Sequence, residues 1–124
     1  MNDLENIQRL TERFKRQMPD GEVYQRRLAE EFELILKQRF TEYFFKICDI
    51  IDLTQDVKHM TRGSAGSSLV CYLLGITDVD PVKWNIPVAR FLNPLRDDLP
   101  DVDIDFEHWR QKDIMERIFK KWPG

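Results

Sequence analysis

The sequence predicts an α+β fold that is mostly helical and contains a short β-strand pair or sheet. Residues 3–53 place apolar side chains three and four positions apart, which is the period of amphipathic helices. Residues 101–106 instead alternate between acidic and apolar side chains, as in a strand with one face toward a core. Residues 109–121 return to helical spacing, with Ile114, Ile118 and Phe119 expected inside, so helices make up most of the predicted structure.

Composition limits the class of protein. At 124 residues and 42% hydrophobic, the chain can build the core of one domain. A net charge of −3 argues against an autonomous nucleic-acid binder, which is usually basic. Cys48 and Cys71 form no metal-binding motif and suit buried free thiols in a reducing cytoplasm. No signal peptide and no apolar run of spanning length is visible, so we expect a cytoplasmic location and no membrane partner.

Three helices are expected in residues 1–55, which we interpret as a helical N-terminal part. The first covers residues 3–18 and ends at the turn signal Pro19-Asp20-Gly21. The second has a charged side rich in Glu and Arg, which predicts a solvated face. The third is capped by Thr41 and ends near Leu53, and its many apolar residues predict burial on more than one side.

A small-residue segment follows a predicted loop over 54–63 and leads directly into an apolar helix. This arrangement points free backbone N–H groups at an anion, so it predicts a phosphate-binding loop. Its candidate residues are Arg62, Gly63, Ser64, Gly66 and Ser67. The alternative is a flexible connection with a serine N-cap, because a lone Gly/Ser loop is weak evidence.

Two arginines in the turn-rich segment 76–99 are candidate phosphate contacts. Arg90 lies in a predicted short helix near Val88–Leu92, and Arg96 follows in a loop. A guanidinium can bind phosphate oxygens through two parallel hydrogen bonds. The alternative is a surface ion pair with Asp97 or Asp98.

The acidic strand carries three carboxylates on its outward face, Asp101, Asp103 and Asp105. Neighbours two residues apart on a strand lie ~7 Å from each other, and carboxylates that close repel unless a cation lies between them. Mg²⁺ fits this donor set, because it prefers one or two carboxylates together with substrate phosphates. The alternative is an edge strand charged to prevent pairing with other chains.

In this order, the motifs resemble the palm region of the bacterial C-family replicative DNA polymerases, the alpha subunits of DNA polymerase III. The motifs that carry the resemblance are Arg62–Ser67, Ile76–Pro81, Arg90–Arg96 and Pro100–Phe106. A looser match extends upstream to Tyr24, Arg27-Leu28, Glu31-Phe32-Glu33, Tyr43-Phe44 and Asp49.

The resemblance implies a nucleotidyltransferase palm like that of DNA polymerase beta. Residues 1–55 would be the helical N-terminal part of its palm or thumb-proximal region, and residues 56–124 its partial catalytic part with the phosphate loop and the acidic strand. In the family the first two strand acids, here Asp101 and Asp103, bind two catalytic Mg²⁺ ions, and Asp105 supports them. Gly63-Ser64 match the loop that contacts the triphosphate of the incoming nucleotide, and Arg90 matches a phosphate-contacting arginine. The implied partners are deoxynucleoside triphosphates and primer–template DNA, with a sliding clamp and other replisome subunits bound through regions outside this chain.

Departures from the family pattern define the alternatives. Val57–Thr61 replace a glycine-rich approach, and the family's third catalytic acid lies beyond Pro123-Gly124. We therefore expect a polymerase fragment that is inactive in isolation. A free-standing small nucleotidyltransferase is a second hypothesis, although the 36 residues between Ser64 and Asp101 are more than such enzymes use. A non-enzymatic remnant that binds a partner through its Phe-rich helices is a third.

Overall fold

The structure is a computed structural model that describes residues 3–93, 95, 100 and 102–123. Among these residues it contains five α-helices and two β-strands, which confirms the predicted α+β fold. The elements are α1 (Asp3–Glu12), α2 (Glu22–Gln38), α3 (Thr41–Leu53), β1 (His59–Arg62), α4 (Leu69–Leu73), β2 (Asp103–Phe106) and α5 (Gln111–Lys121). Short 3₁₀ turns cover Gly63–Ser67, Val88–Arg90 and His108–Arg110.

Helix α1 is shorter than the predicted 3–18. Arg13 and Phe14 make only turn bonds back to Leu10 and Thr11, and the next two residues bond to the end of α4 instead. The backbone N–H groups of Lys15 and Arg16 both donate to the Leu73 carbonyl, at 2.7 and 3.1 Å. The Arg16 guanidinium also donates to the carbonyl oxygens of Tyr72 and Thr77. These tertiary bonds replace the helical ladder and fix the link between α1 and α2.

Helices α2 and α3 meet at a left-handed residue, Arg39, with a φ of 59°. Phe40, not the predicted Thr41, is the N-cap of α3, and no side chain caps that end. The buried residues of α3 lie on one broad face, and Glu42 and Lys46 on the other side are exposed, so the expected burial on more than one side is not confirmed. Its buried apolar residues are Phe44, Phe45, Ile47, Cys48 and Ile51.

The core joins α3 to α4 and to the segment around the Val88–Arg90 turn. Phe44 packs edge-on against Phe91 with ring centroids 6.0 Å apart. Cys48 and Cys71 are buried free thiols, as expected. In the part of the chain that the structure describes, no helix is long and apolar enough to cross a bilayer.

The two strands form an antiparallel sheet with a register from His59↔Phe106 to Arg62↔Asp103. The predicted loop over 54–63 is therefore wrong at residues 59–62, which form β1. These four residues show no clear alternation, and their strand conformation depends on a partner far along the chain. Helix α5 buries Ile114 but leaves Phe119 58% exposed, although the helical spacing predicted Phe119 inside.

Candidate functional site

The strand register brings the Gly/Ser segment to the acidic strand. Arg62, the last residue of β1, pairs with Asp103, the first residue of β2. Backbones of paired antiparallel residues lie about 5 Å apart, and Gly63 continues directly from Arg62. The candidate phosphate loop therefore begins beside the start of the acidic strand. This proximity is required if the two predicted motifs form one site.

The acidic strand has the predicted alternation. Asp103 and Asp105 are exposed, whereas Ile104 and Phe106 are partly buried. Exposed carboxylates on one strand face offer the hard oxygen ligands that suit Mg²⁺. Asp101 lies outside the described residues, so the three-acid metal site stays a prediction. Within the described ranges, no group of three or more His, Cys, Asp or Glu residues is arranged to hold a metal ion.

The Gly/Ser segment folds into the 3₁₀ turn Gly63–Ser67. Ser64 and Gly66 are partly exposed, whereas Ser67 is 4% exposed. Among these residues, Ser64 is therefore the more accessible hydroxyl donor for an anion, and Ser67 faces the protein interior.

The N-terminus of α4 does not have the free N–H groups that the sequence predicted. The N–H groups of Leu69 and Val70 donate to the Glu31 carboxylate at 2.7 and 3.0 Å. The N–H of Cys71 donates to the Ser68 hydroxyl oxygen at 3.1 Å. A protein carboxylate thus occupies the position expected for an anion, so phosphate contacts would have to come from residues 62–67 instead.

Glu31 reaches this position from α2, together with Arg27 one helical turn earlier. Arg27 Nε donates to Glu31 Oε2 at 2.8 Å, and the Ser68 hydroxyl donates to Glu31 Oε1 at 2.7 Å. Burial raises the pKa of Glu31, and the bonds from Ser68, Val70 and Leu69 and the charge of Arg27 oppose that rise. Both oxygens of Glu31 accept hydrogen bonds, so the network suits the ionised carboxylate.

The Arg27–Glu31 pair is the part of the site that sequence reasoning missed. The charged side of α2 was predicted to be solvated, yet the Glu31 side chain is fully buried and that of Arg27 is 13% exposed. The signal in the sequence was an Arg followed four residues later by a Glu, which places both on one helix face. The same spacing occurs in exposed pairs, so it could not reveal burial.

Arg90 lies next to the loop. Its 3₁₀ turn, Val88–Arg90, packs against the turn Gly63–Ser67, and buried Phe91 and Leu92 anchor it. Arg90 itself is exposed. The predicted short helix over Val88–Leu92 is thus confirmed in part, as a 3₁₀ turn. Arg96, the second candidate arginine, lies outside the described residues.

The segment Ile76–Pro81 supports the site without forming it. Asp80 accepts a hydrogen bond from the Tyr24 hydroxyl at 2.5 Å and bonds from the N–H groups of Val82 and Lys83. The bond to Asp80 raises the pKa of Tyr24 to about 12. Thr61 of β1 donates its hydroxyl to the Ile76 carbonyl. These contacts hold β1 and α2 to one connecting segment.

The sequence of the chain is similar to segments of bacterial DNA polymerases. The family described as "Bacterial DNA polymerase III alpha NTPase domain" matches residues 4–123. An error-prone DNA polymerase of Cutibacterium acnes is 41% identical over 105 residues, covering 83% of this chain and 9% of the relative. An error-prone DNA polymerase of Pseudomonas syringae pv. tomato is 38% identical over 121 residues, covering 94% and 12%.

A third relative is named as a replicative subunit. The DNA polymerase III subunit alpha of Staphylococcus aureus (strain MRSA252) is 41% identical over 104 residues, covering 82% of this chain and 10% of the relative. The chain therefore spans about a tenth of the length of these relatives.

Proposed function

We propose that this chain, which belongs to the bacterial DNA polymerase III alpha family, is part of the catalytic palm of a DNA-directed DNA polymerase. The observation that carries the proposal is the pairing of Arg62 with Asp103, which sets the Gly/Ser loop beside the acidic strand. A triphosphate held by the loop would lie next to carboxylates able to bind its metal ions.

Each candidate residue has one role in this proposal. Asp101 and Asp103, with Asp105 in support, would hold two Mg²⁺ ions, which when bound activate the primer hydroxyl and neutralise phosphate charge. Ser64 and the neighbouring backbone would bind the triphosphate, with Gly63, Gly66 and Ser67 shaping the turn. Arg62, Arg90 and Arg96 would supply positive charge to the phosphate oxygens.

The reaction joins a deoxynucleotide to a primer. The primer 3′-hydroxyl gives up its proton to solvent and its oxygen forms a bond to the α-phosphorus, while the bond from that phosphorus to the bridging β-phosphate oxygen breaks and pyrophosphate leaves. Template, sliding clamp and other replisome subunits would bind through parts of the polymerase beyond this segment. Two acids cannot fix both metal ions and the primer end, so we expect no extension by the 124-residue chain alone. We place the polymerase in the cytoplasm, where Cys48 and Cys71 stay reduced.

A partner-binding role without catalysis is the second candidate. It is favoured by three exposed apolar side chains, Trp109, Met115 and Phe119, at and within α5. Met115 and Phe119 lie four residues apart and so share one face of α5, and contiguous exposed apolar side chains often mark an interaction surface. This role predicts no dependence on the acidic strand.

The decisive experiment places residues 4–123 in the Staphylococcus aureus DNA polymerase III subunit alpha, in place of the matching segment. Asp103→Asn and Asp101→Asn should each lower primer extension by about 1000-fold or more, equivalent to ~4 kcal/mol of transition-state stabilisation. Asp105→Asn, on the same strand face as Asp103 but in a supporting role, should cost less than about tenfold.

Binding of primer–template, measured by fluorescence anisotropy, should stay unchanged in all three variants. Extension retained in Asp103→Asn would contradict the proposal. A chimera with intact acids that binds primer–template but extends nothing would contradict it as well, and would favour the partner-binding role.

A further inference from the structure

One charged pair connects α2 to three separate segments around the candidate phosphate loop. Arg27 Nη2 donates to the carbonyl oxygens of Ser67 and Ile86, at 2.6 and 2.8 Å. Ser67 ends the Gly63–Ser67 turn, and Ile86 lies two residues before the turn that carries Arg90. A single nitrogen thus ties the loop to the segment that leads to Arg90.

Glu31 fixes the other side of the loop. Its carboxylate binds the Ser68 hydroxyl and the N–H groups of Leu69 and Val70, which are the first groups after the loop. It also accepts a bond from Arg27 Nε, which orients the guanidinium toward Ser67 and Ile86. Hydrogen bonds between these two α2 side chains and the backbone of Ser67, Leu69 and Val70 therefore hold the end of the loop.

We propose that Arg27 and Glu31 are positioning residues that set the triphosphate-binding loop against the Arg90 turn, an inference that rests on the proposed function. Glu31 is fully buried and the Arg27 side chain is 13% exposed, and the bonds of both go to protein groups at the end of the loop and beyond it. Their effect reaches the nucleotide through the spacing between Ser64 and Arg90, which must contact one triphosphate together. Misplacement of a binding group by about 1 Å can cost as much as ~100-fold in rate.

Two substitutions separate geometry from charge. Arg27→Lys keeps the charge that balances Glu31, but one ammonium cannot reproduce the planar set of bonds to Glu31, Ser67 and Ile86. Glu31→Gln keeps the shape but replaces one accepting oxygen by an amide that donates. Matched controls come from the neighbouring exposed pair of the same spacing on α2, as Arg26→Lys and Glu22→Gln.

The first readout is amide hydrogen exchange on the 124-residue chain. We expect the amides of residues 64–70 to exchange at least about tenfold faster in Arg27→Lys and Glu31→Gln. Both control variants should match the unsubstituted chain. Unchanged exchange in both test variants would overturn the inference, whatever the chain binds.

The second readout is the KM for a deoxynucleoside triphosphate in the chimera. We expect Arg27→Lys to raise KM about tenfold or more while kcat changes less than about threefold, because ground-state contacts to the triphosphate are lost. A purely structural role would lower thermal stability and leave KM unchanged, and that result would overturn the inference. Asp103→Asn tests the proposed function without touching α2, so the two proposals can fail separately.

Discussion

At the scale of single residues, Phe44 packs in the core against two neighbouring aromatic rings. Its side chain is fully buried, lies edge-on to Phe91, and neighbours the Tyr43 ring at 6.1 Å. Edge-to-face aromatic pairs stabilise a fold by ~0.5–1.5 kcal/mol beyond the contribution of the apolar area that the rings bury. Phe91 directly follows the turn that carries Arg90, so this packing also supports the site.

Phe44→Ala should therefore lower the free energy of unfolding by about 3–5 kcal/mol, through lost burial and the cavity left behind. Urea denaturation followed by circular dichroism measures the change. Phe119→Ala, at an exposed phenylalanine, is the control and should shift the free energy by less than ~1 kcal/mol. Equal losses in the two variants would refute the assigned core.

At single positions, the sequence predicted exposure or burial where a periodic pattern of polar and apolar residues determines it. The outward placement of Asp103 and Asp105 followed from alternation alone and is confirmed. The burial of Glu31 could not be predicted in this way, because its partners on the loop and α4 are distant in sequence. Spacing on a helix shows which residues share a face, but not what covers that face.

At the scale of elements, α5 is attached to the segment before β1 by an ion-pair network. Asp56 lies between the guanidinium groups of Arg117 and Arg110, at 2.6 and 3.0 Å, and Asp113 of α5 bonds to the same two arginines. Arg117 also donates to the Leu53 carbonyl at the end of α3. The network thus joins α5 to the end of α3 and to the segment that follows it, beside the apolar contact made by buried Ile114.

This network predicts a pH-dependent stability. Hydrogen bonds from Arg117 and Arg110 hold the pKa of Asp56 well below its usual value, and Arg110 does the same for Asp113. A lowered carboxyl pKa stabilises the fold above the unfolded value of about 4, and that stabilisation is lost as the pH falls below it. Asp56→Asn should therefore lower Tm at pH 7, and the difference from the unsubstituted chain should narrow below pH ~4.

The measurement is thermal unfolding at several pH values. Added salt should also narrow the difference at pH 7, because the network is exposed and ions screen it. Glu22→Gln, which removes an isolated exposed pair on α2, is the control and should change Tm little at any pH. A Tm difference independent of both pH and salt would contradict an electrostatic attachment.

Element boundaries show what sequence reasoning can and cannot predict. Helices α2, α3 and α5 followed from apolar spacing, within a few residues at their ends. Strand β1 and the early end of α1 were missed for one reason. Their backbone bonds go to β2 and to Leu73, and such tertiary partners leave no local pattern in the sequence.

At the scale of the whole molecule, both thiols report on opening of the core. Cys48 and Cys71 lie within the cluster that joins α3 and α4. Burial raises the pKa of the Cys48 thiol to about 11 and raises that of Cys71 as well. Since the thiolate is the reactive form, both thiols are protected twice, by exclusion of reagent and by protonation.

We therefore expect a colorimetric disulfide reagent to label the folded chain at neutral pH at least about 100-fold more slowly than the chain in urea. Reaction should speed up in Phe44→Ala, which lowers the stability of the same cluster. Stopped-flow absorbance measurements give the labelling rates of the folded chain, of the chain in urea and of the Phe44→Ala variant. Rapid labelling of one thiol without denaturant would show that the core opens locally at that position.

The pairing of β1 with β2 also has a kinetic consequence. The paired residues lie 41 to 47 positions apart in the chain, whereas the contacts within each helix span only a few residues. Closing so long a loop costs entropy before any strand contact forms, so helices should fold first and the strands should pair late. Individual helices would then form before Arg62 meets Asp103, so the proposed nucleotide-binding site would be completed only after them.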